Sequence, residues 1–115
     1  MSRMWRAVAV VAVASMAVVG GTQSGAETAM TAAEFEETCT RIDDVWISFC
    51  NGYVQGVADV LTLSGAVCIP PGTTRTTIVT LIDRATFPGI RDGTIPPDTP
   101  ALSITIGVLE AVYPC

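Results

Sequence analysis

Four cysteines, Cys39, Cys50, Cys68 and Cys115, all lie downstream of an apolar run that follows two arginines, and this combination sets the narrowest bounds on the fold. Residues 1–26 have the layout of a secretory signal peptide. Arg3 and Arg6 form a short cationic start, Ala7–Val19 contains only Ala, Val, Met and one Ser, and Ser24-Gly25-Ala26 supplies the small residues a signal peptidase inspects. The apolar run is about 13 residues, short of the roughly 20 that a permanent membrane anchor needs. Residues 27–115 are therefore expected to form the working domain in an oxidising compartment, periplasmic or secreted, where an even number of cysteines in a small chain reads as disulfides.

Chain length supports one small domain. Removing the leader takes Arg3 and Arg6 with it and leaves four arginines against eleven acidic residues, a formal charge of −7. Nucleic-acid binding needs clustered Lys or Arg, so it is not expected. The sequence has no histidine, which removes Ser-His-Asp and Cys-His catalysis and every His-containing zinc site. With no C-x-x-C motif either, neither metal nor cofactor is expected. Asp43, Asp44 and Asp59 are the only carboxylates that suggest a catalytic pair, and carboxylates at helix starts are usually caps. The chain is read as a non-enzyme.

Local patterns predict four helices. Thr31 with Glu34 three residues on forms a capping box for a helix over Ala32–Arg41. Asp43 or Asp44 caps a second helix, about Val45 to Leu63, whose core stripe is read as Phe49, Tyr53, Val57 and Val60/Leu61, with Gly65 closing it. Cys68-Ile69-Pro70-Pro71-Gly72 is a stiff connector. Thr74 caps a third helix over Arg75–Thr86 with Ile78, Leu81/Ile82 and Ala85 facing inward. Two glycines and three prolines make Phe87–Asp98 a surface loop. Thr99 before Pro100 reads as an N-cap with proline at the first helical position. The last segment fits a helix through Leu102, Ile106, Leu109 and Tyr113, and it also alternates as a strand would over Leu102–Val108.

Packed as successive antiparallel neighbours, four such helices bring Cys39 to Cys50 and Cys68 to Cys115. These pairings close loops of about 12 and 48 residues and stabilise by roughly 3 and 4 kcal/mol on the chain-entropy argument. Gly52 and Gly56 share one helical face and leave a notch, either for internal packing or for a dimer or partner contact. Tyr53 and Asp59 lie beside it and complete the candidate set. The role of Trp46, core residue or exposed anchor, stays open.

Phe49-Cys50-Asn51-Gly52-Tyr53-Val54-Gln55-Gly56-Val57-Ala58-Asp59, then Cys68-Ile69-Pro70-Pro71-Gly72-Thr73-Thr74, and last Glu110-Ala111-Val112-Tyr113-Pro114-Cys115 resemble the Rap1a/Tai family of immunity proteins over Glu36 to Cys115. The resemblance implies an all-α, disulfide-stapled bundle and a helical last segment. It also implies a periplasmic inhibitor, often a homodimer, that occludes the cleft of a peptidoglycan amidase effector delivered by type VI secretion. Two departures stand out: Thr77 replaces the usual Gln or Glu of a capping box, and Phe87–Asp98 is richer in Pro and Gly than the family linker. Competing readings are a periplasmic scaffold without a toxin to neutralise and an acid-stress holdase of the HdeA kind, whose carboxylates would drive a low-pH transition.

Overall fold

The computed structural model describes residues 29–115, so the expected signal peptide lies outside the described residues. The chain order is α1 (Ala32–Cys39), α2 (Asp44–Leu63), α3 (Arg75–Asp92) and α4 (Ala101–Val112). Every helix touches every other, with no strand among the described residues, so the last segment is a helix. Phe35, Ile82 and Leu109 have no exposed surface and mark the centre of the core, ringed by Val54, Ala58, Ile78 and Phe87.

Helix starts follow local chemistry where the chain supplies a cap. Thr31 accepts from the Glu34 backbone N–H at 3.2 Å while the Glu34 carboxylate accepts from the Thr31 N–H at 3.0 Å, the reciprocal box expected of that pair. The Thr31 N–H bond, and after it the Thr31 hydroxyl donating to the same carboxylate at 3.0 Å, hold the Glu34 carboxyl below the ordinary range. Thr74 caps α3 by accepting from the Thr77 N–H at 3.1 Å, and the two hydroxyls lie 2.9 Å apart, so Thr77 contributes without closing a full box. The start of α4 differs from expectation: Pro100 is the cap, Ala101 opens the helix and no side chain caps it. Backbone groups do that work instead. The Ala101 N–H donates to Met30 O at 2.9 Å, while the Ala32 N–H donates to Thr99 O at 2.7 Å, so the starts of α1 and α4 satisfy each other's orphan donors.

At its far end α2 closes as read from Gly65. That glycine has φ +78°, its N–H donates to Thr62 O at 3.1 Å, and the Ala66 N–H reaches back to Leu61 O at 2.9 Å, which is a complete Schellman closure.

Both expected bridges are present, Cys39–Cys50 with Cα atoms 5.7 Å apart and Cys68–Cys115 at 4.9 Å. The first clamps the end of α1 to the opening turns of α2. The second ties the chain terminus to the α2–α3 connector, reinforced by the Cys68 N–H donating to Tyr113 O at 2.9 Å. Across the bundle, Arg91 on α3 lies 3.4 Å from Glu36 on α1 and covers the Phe87 ring, a half-exposed tie of modest worth.

The third helix corrects the sequence reading. It does not stop at Thr86 but continues through Pro88 to Asp92, leaving only Gly93–Pro100 as loop. Pro88 cannot donate to Arg84 O and costs about 3 kcal/mol in a helix interior. Phe87 and Ile90 are both buried, however, and extend the Ile78–Ile82–Thr86 face by another turn. Burying two such side chains contributes about 1.5–3 kcal/mol each, together enough to match or exceed the local penalty. Gly93, at φ +85°, then ends the helix. Gly89 has a separate constraint, because a Cβ there would lie 3.0 Å from the Ile95 side chain folding back from the loop.

The inward faces also need correction. On α3, Thr86 is buried where Ala85 was expected, and its hydroxyl is satisfied by donating to Ile82 O at 2.8 Å. On α4 the buried line is Ala101, Thr105 and Leu109, with the Thr105 hydroxyl donating to Ala101 O at 2.7 Å. On α2 it is Cys50, Val54, Val57, Ala58 and Leu61. Phe49 and Val60, read as core, are exposed.

Candidate functional site

The misplaced apolar residues are not scattered. On α2, Val45, Phe49, Val60 and Leu63 recur with Gly52 and Gly56 at steps of three or four and so share one face. It lies opposite the buried line, and Val45, Val60 and Leu63 are 71%, 65% and 88% exposed. On α4, Leu102 is 48% exposed and stands one turn from Ile106. Soluble monomers rarely leave apolar side chains contiguous over such a length without a purpose.

Where these two faces meet there is a groove of about 450 Å³. Its base is Val57 and Leu61, one wall is Gly52, Gly56 and Val60 of α2, and the other is Leu102 and Ile106 of α4, with Tyr53 also lining it. Sequence reading singled out Gly52, Tyr53, Gly56 and Asp59, and the fold brings the first three into this groove. Asp59 does not line it; its carboxylate accepts from Gln55 Nε2 at 2.8 Å on the outer side of the α2 wall. A Cβ placed on Gly52 or Gly56 meets nothing within 4 Å, so among the described residues no other helix fills the notch they leave.

Aromatic rings extend the surface toward the start of α2. Phe35 in the core contacts Tyr53 at 5.7 Å between centroids, Tyr53 stacks with Phe49 at 6.4 Å, and Phe49 meets Trp46 edge-on at 6.0 Å. The Arg41 guanidinium caps the row, 5.0 Å from the centre of the Trp46 ring. Trp46 is thus a half-buried link between core and surface. Desolvation pushes the Tyr53 phenol above its ordinary range, so it stays neutral, a hydrogen-bonding group on an apolar wall.

Ile106 is partly buried and packs against the core as read, whereas Leu102 and Val60 are the groove residues that sequence reasoning misassigned. Each fitted a core stripe by spacing, and spacing alone does not say which of two apolar faces is covered.

Elsewhere, a hydroxyl-rich depression of about 370 Å³ lies along α3 between Thr74 and Arg84, but Thr74 and Thr77 already spend their hydroxyls on the cap. Asp83, also on α3, is half-buried, and desolvation raises its carboxyl to about 6. Among the described residues no three His, Cys, Asp or Glu side chains are grouped to hold a metal ion, and no helix is long and apolar enough to cross a membrane. Apart from the Tyr53 hydroxyl, the side chains that line the groove are apolar.

A family model described as Rap1a immunity proteins matches residues 31–115. No curated protein and no solved structure matches the chain.

Proposed function

Because the chain belongs to the Rap1a immunity protein family, we propose that this immunity protein for a secreted effector acts in the periplasm, where it binds a peptidoglycan amidase delivered by type VI secretion and blocks its catalytic cleft. The family match over the entire four-helix domain carries the reading. Two disulfides support the compartment, since such bridges persist in oxidising surroundings and are rare in the cytosol. An open apolar groove with no catalytic constellation supports a role by occupancy, without chemistry of the protein's own. The formal charge of −7 left after removal of the leader would speed encounter with a basic effector surface.

The decisive experiment co-expresses the full chain with a periplasm-directed amidase from the same genome. Restored growth, together with a stable complex by size exclusion, is the expected result. Lysis in the presence of folded, exported protein, with no complex formed, would contradict it. Homodimerisation, the other association that the resemblance implies, is read separately as molecular mass by light scattering.

A further inference from the structure

The groove between α2 and α4 is apolar inside with one carboxylate, Asp59 or Glu110, beside each bank, and we infer that its occupant is an apolar helical segment flanked by Arg or Lys, contributed by the effector and not by a second copy of this chain. The inference rests on the reading of the chain as an effector-binding immunity protein, and adds to it the surface used and the chemistry of the element bound.

Shape favours a helix as the occupant. Gly52 and Gly56 sit in the interior of α2, where glycine weakens a helix relative to alanine. Backbone conformation does not demand them, since the positive φ values among the described glycines belong to Gly65, Gly72 and Gly93. Among the described residues, nothing outside the helix's own backbone approaches within 4 Å of where their side chains would be. What the pair does provide is a strip of bare backbone that lets another helix come close, as small residues do wherever helices pack tightly. The exposed face continues to Val45 on one side and Leu63 on the other, so it runs along most of a 20-residue helix. A straight partner several turns long suits that track better than the tip of a loop does.

Charge decides between a partner and a second copy. Asp59 follows Gly56 by three residues and Glu110 follows Ile106 by four, so each stands beside a groove residue on the solvent side of its helix. Neither α2 nor α4 contains a single Arg or Lys. Arg75, Arg84 and Arg91 belong to α3, and Arg41 lies over the Trp46 ring. In a two-fold pairing across this groove the same patch meets itself. The two helices would then bring Asp59 and Glu110 to the contact from both copies with no cation on either helix to offset them. A segment with basic flanks meets opposite charge on both banks, and like-charge juxtaposition is one way wrong partners are rejected.

Two synthetic amphipathic peptides, each about four turns long with the same leucine stripe and flanked either by Arg or by Glu, test this directly on the oxidised full-length protein. The Arg-flanked peptide should bind at least about tenfold more tightly, with an affinity that falls as salt is raised. Gly56→Leu fills the notch and should cost at least about tenfold, and Val60→Glu provides an independent block if the first variant folds poorly. The Asp59→Lys/Glu110→Lys double variant should reverse the preference. Equal affinity for both peptides, binding of neither, or a doubled mass that Gly56→Leu abolishes would overturn the inference, the last by showing that a second copy fills the groove. Amidase inhibition separates the two levels. Wild type and all three variants inhibiting alike would remove the groove and leave the proposed function standing. Peptide selectivity without inhibition would do the opposite.

Discussion

Leu109 and Leu102 lie two turns apart on α4, yet one has no exposed surface and the other is 48% exposed. The same division runs along α2, where Val54 and Ala58 are buried while Val45, Val60 and Leu63 face solvent. Residues of the same type are thus used twice, once to hold four helices together and once to form a surface that nothing among the described residues covers. Hydrophobicity alone says only that a side chain gains by being covered; the arrangement of neighbours decides whether its own chain or another does the covering.

Truncation should separate the two faces most sharply. Leu109→Ala empties core volume and is expected to cost up to about 5 kcal/mol, whereas Leu102→Ala should stay within about 0.5 kcal/mol in the monomer. Urea unfolding of both variants measures the contrast, and similar losses would mean that the outer face is also structural. The covalent staples act on the fold as a whole. Replacing Cys68 and Cys115 by Ala is expected to cost about 4 kcal/mol and replacing Cys39 and Cys50 about 3 kcal/mol, because the longer loop regains more freedom on unfolding.

A smaller effect of opposite sign is expected on the outer face. Gly56→Ala puts a methyl where nothing lies within 4 Å and should raise stability by about 1 kcal/mol while narrowing the groove. Gly89→Ala is the control, since its methyl would meet Ile95 at 3.0 Å and that crowding should erase the gain. Thermal unfolding of the two variants side by side makes the distinction.

A pH dependence is expected as well. Desolvation raises the Asp83 carboxyl to about 6 in the folded protein, from an ordinary value of 3.8. The folded state therefore binds a proton more readily than the unfolded chain between those values, and this group's contribution to stability declines as pH rises through that interval. Asp83→Asn should remove the decline and raise the melting temperature at pH 7 more than at pH 4. Glu34 and Asp92, held low by hydrogen bonds from Thr31 and Thr94, act in the opposite direction, their contribution fading only as pH falls below about 4.

Much of the architecture was legible because it is written locally. The Thr31–Glu34 box, the Thr74 cap, the Gly65 closure and the pairing of four cysteines all depend on residues close in sequence or on the parity of helix ends. The extension of α3 was not, because Pro88 and Gly89 are local breakers whose cost is outweighed by distant partners that bury Phe87 and Ile90. Nor was the orientation of α2 and α4. Phe49–Tyr53–Val57 and Leu102–Ile106–Leu109 are better apolar stripes on paper than Ala101–Thr105–Leu109, whose small members and self-satisfied Thr105 hydroxyl are what allow close helix packing. Of the groove, the glycine pair and Tyr53 were visible from their spacing. The α4 wall was not, since it depends on how two helices cross.

Methyl-resolved NMR of the full-length protein titrated with its cognate effector tests the central claim most directly. Resonances of Val60, Leu102 and Ile106 should shift or broaden on complex formation, while those of Val54, Ile82 and Leu109 hold their positions. Perturbation confined to residues away from α2 and α4, with the groove methyls unmoved in a saturated complex, would contradict it.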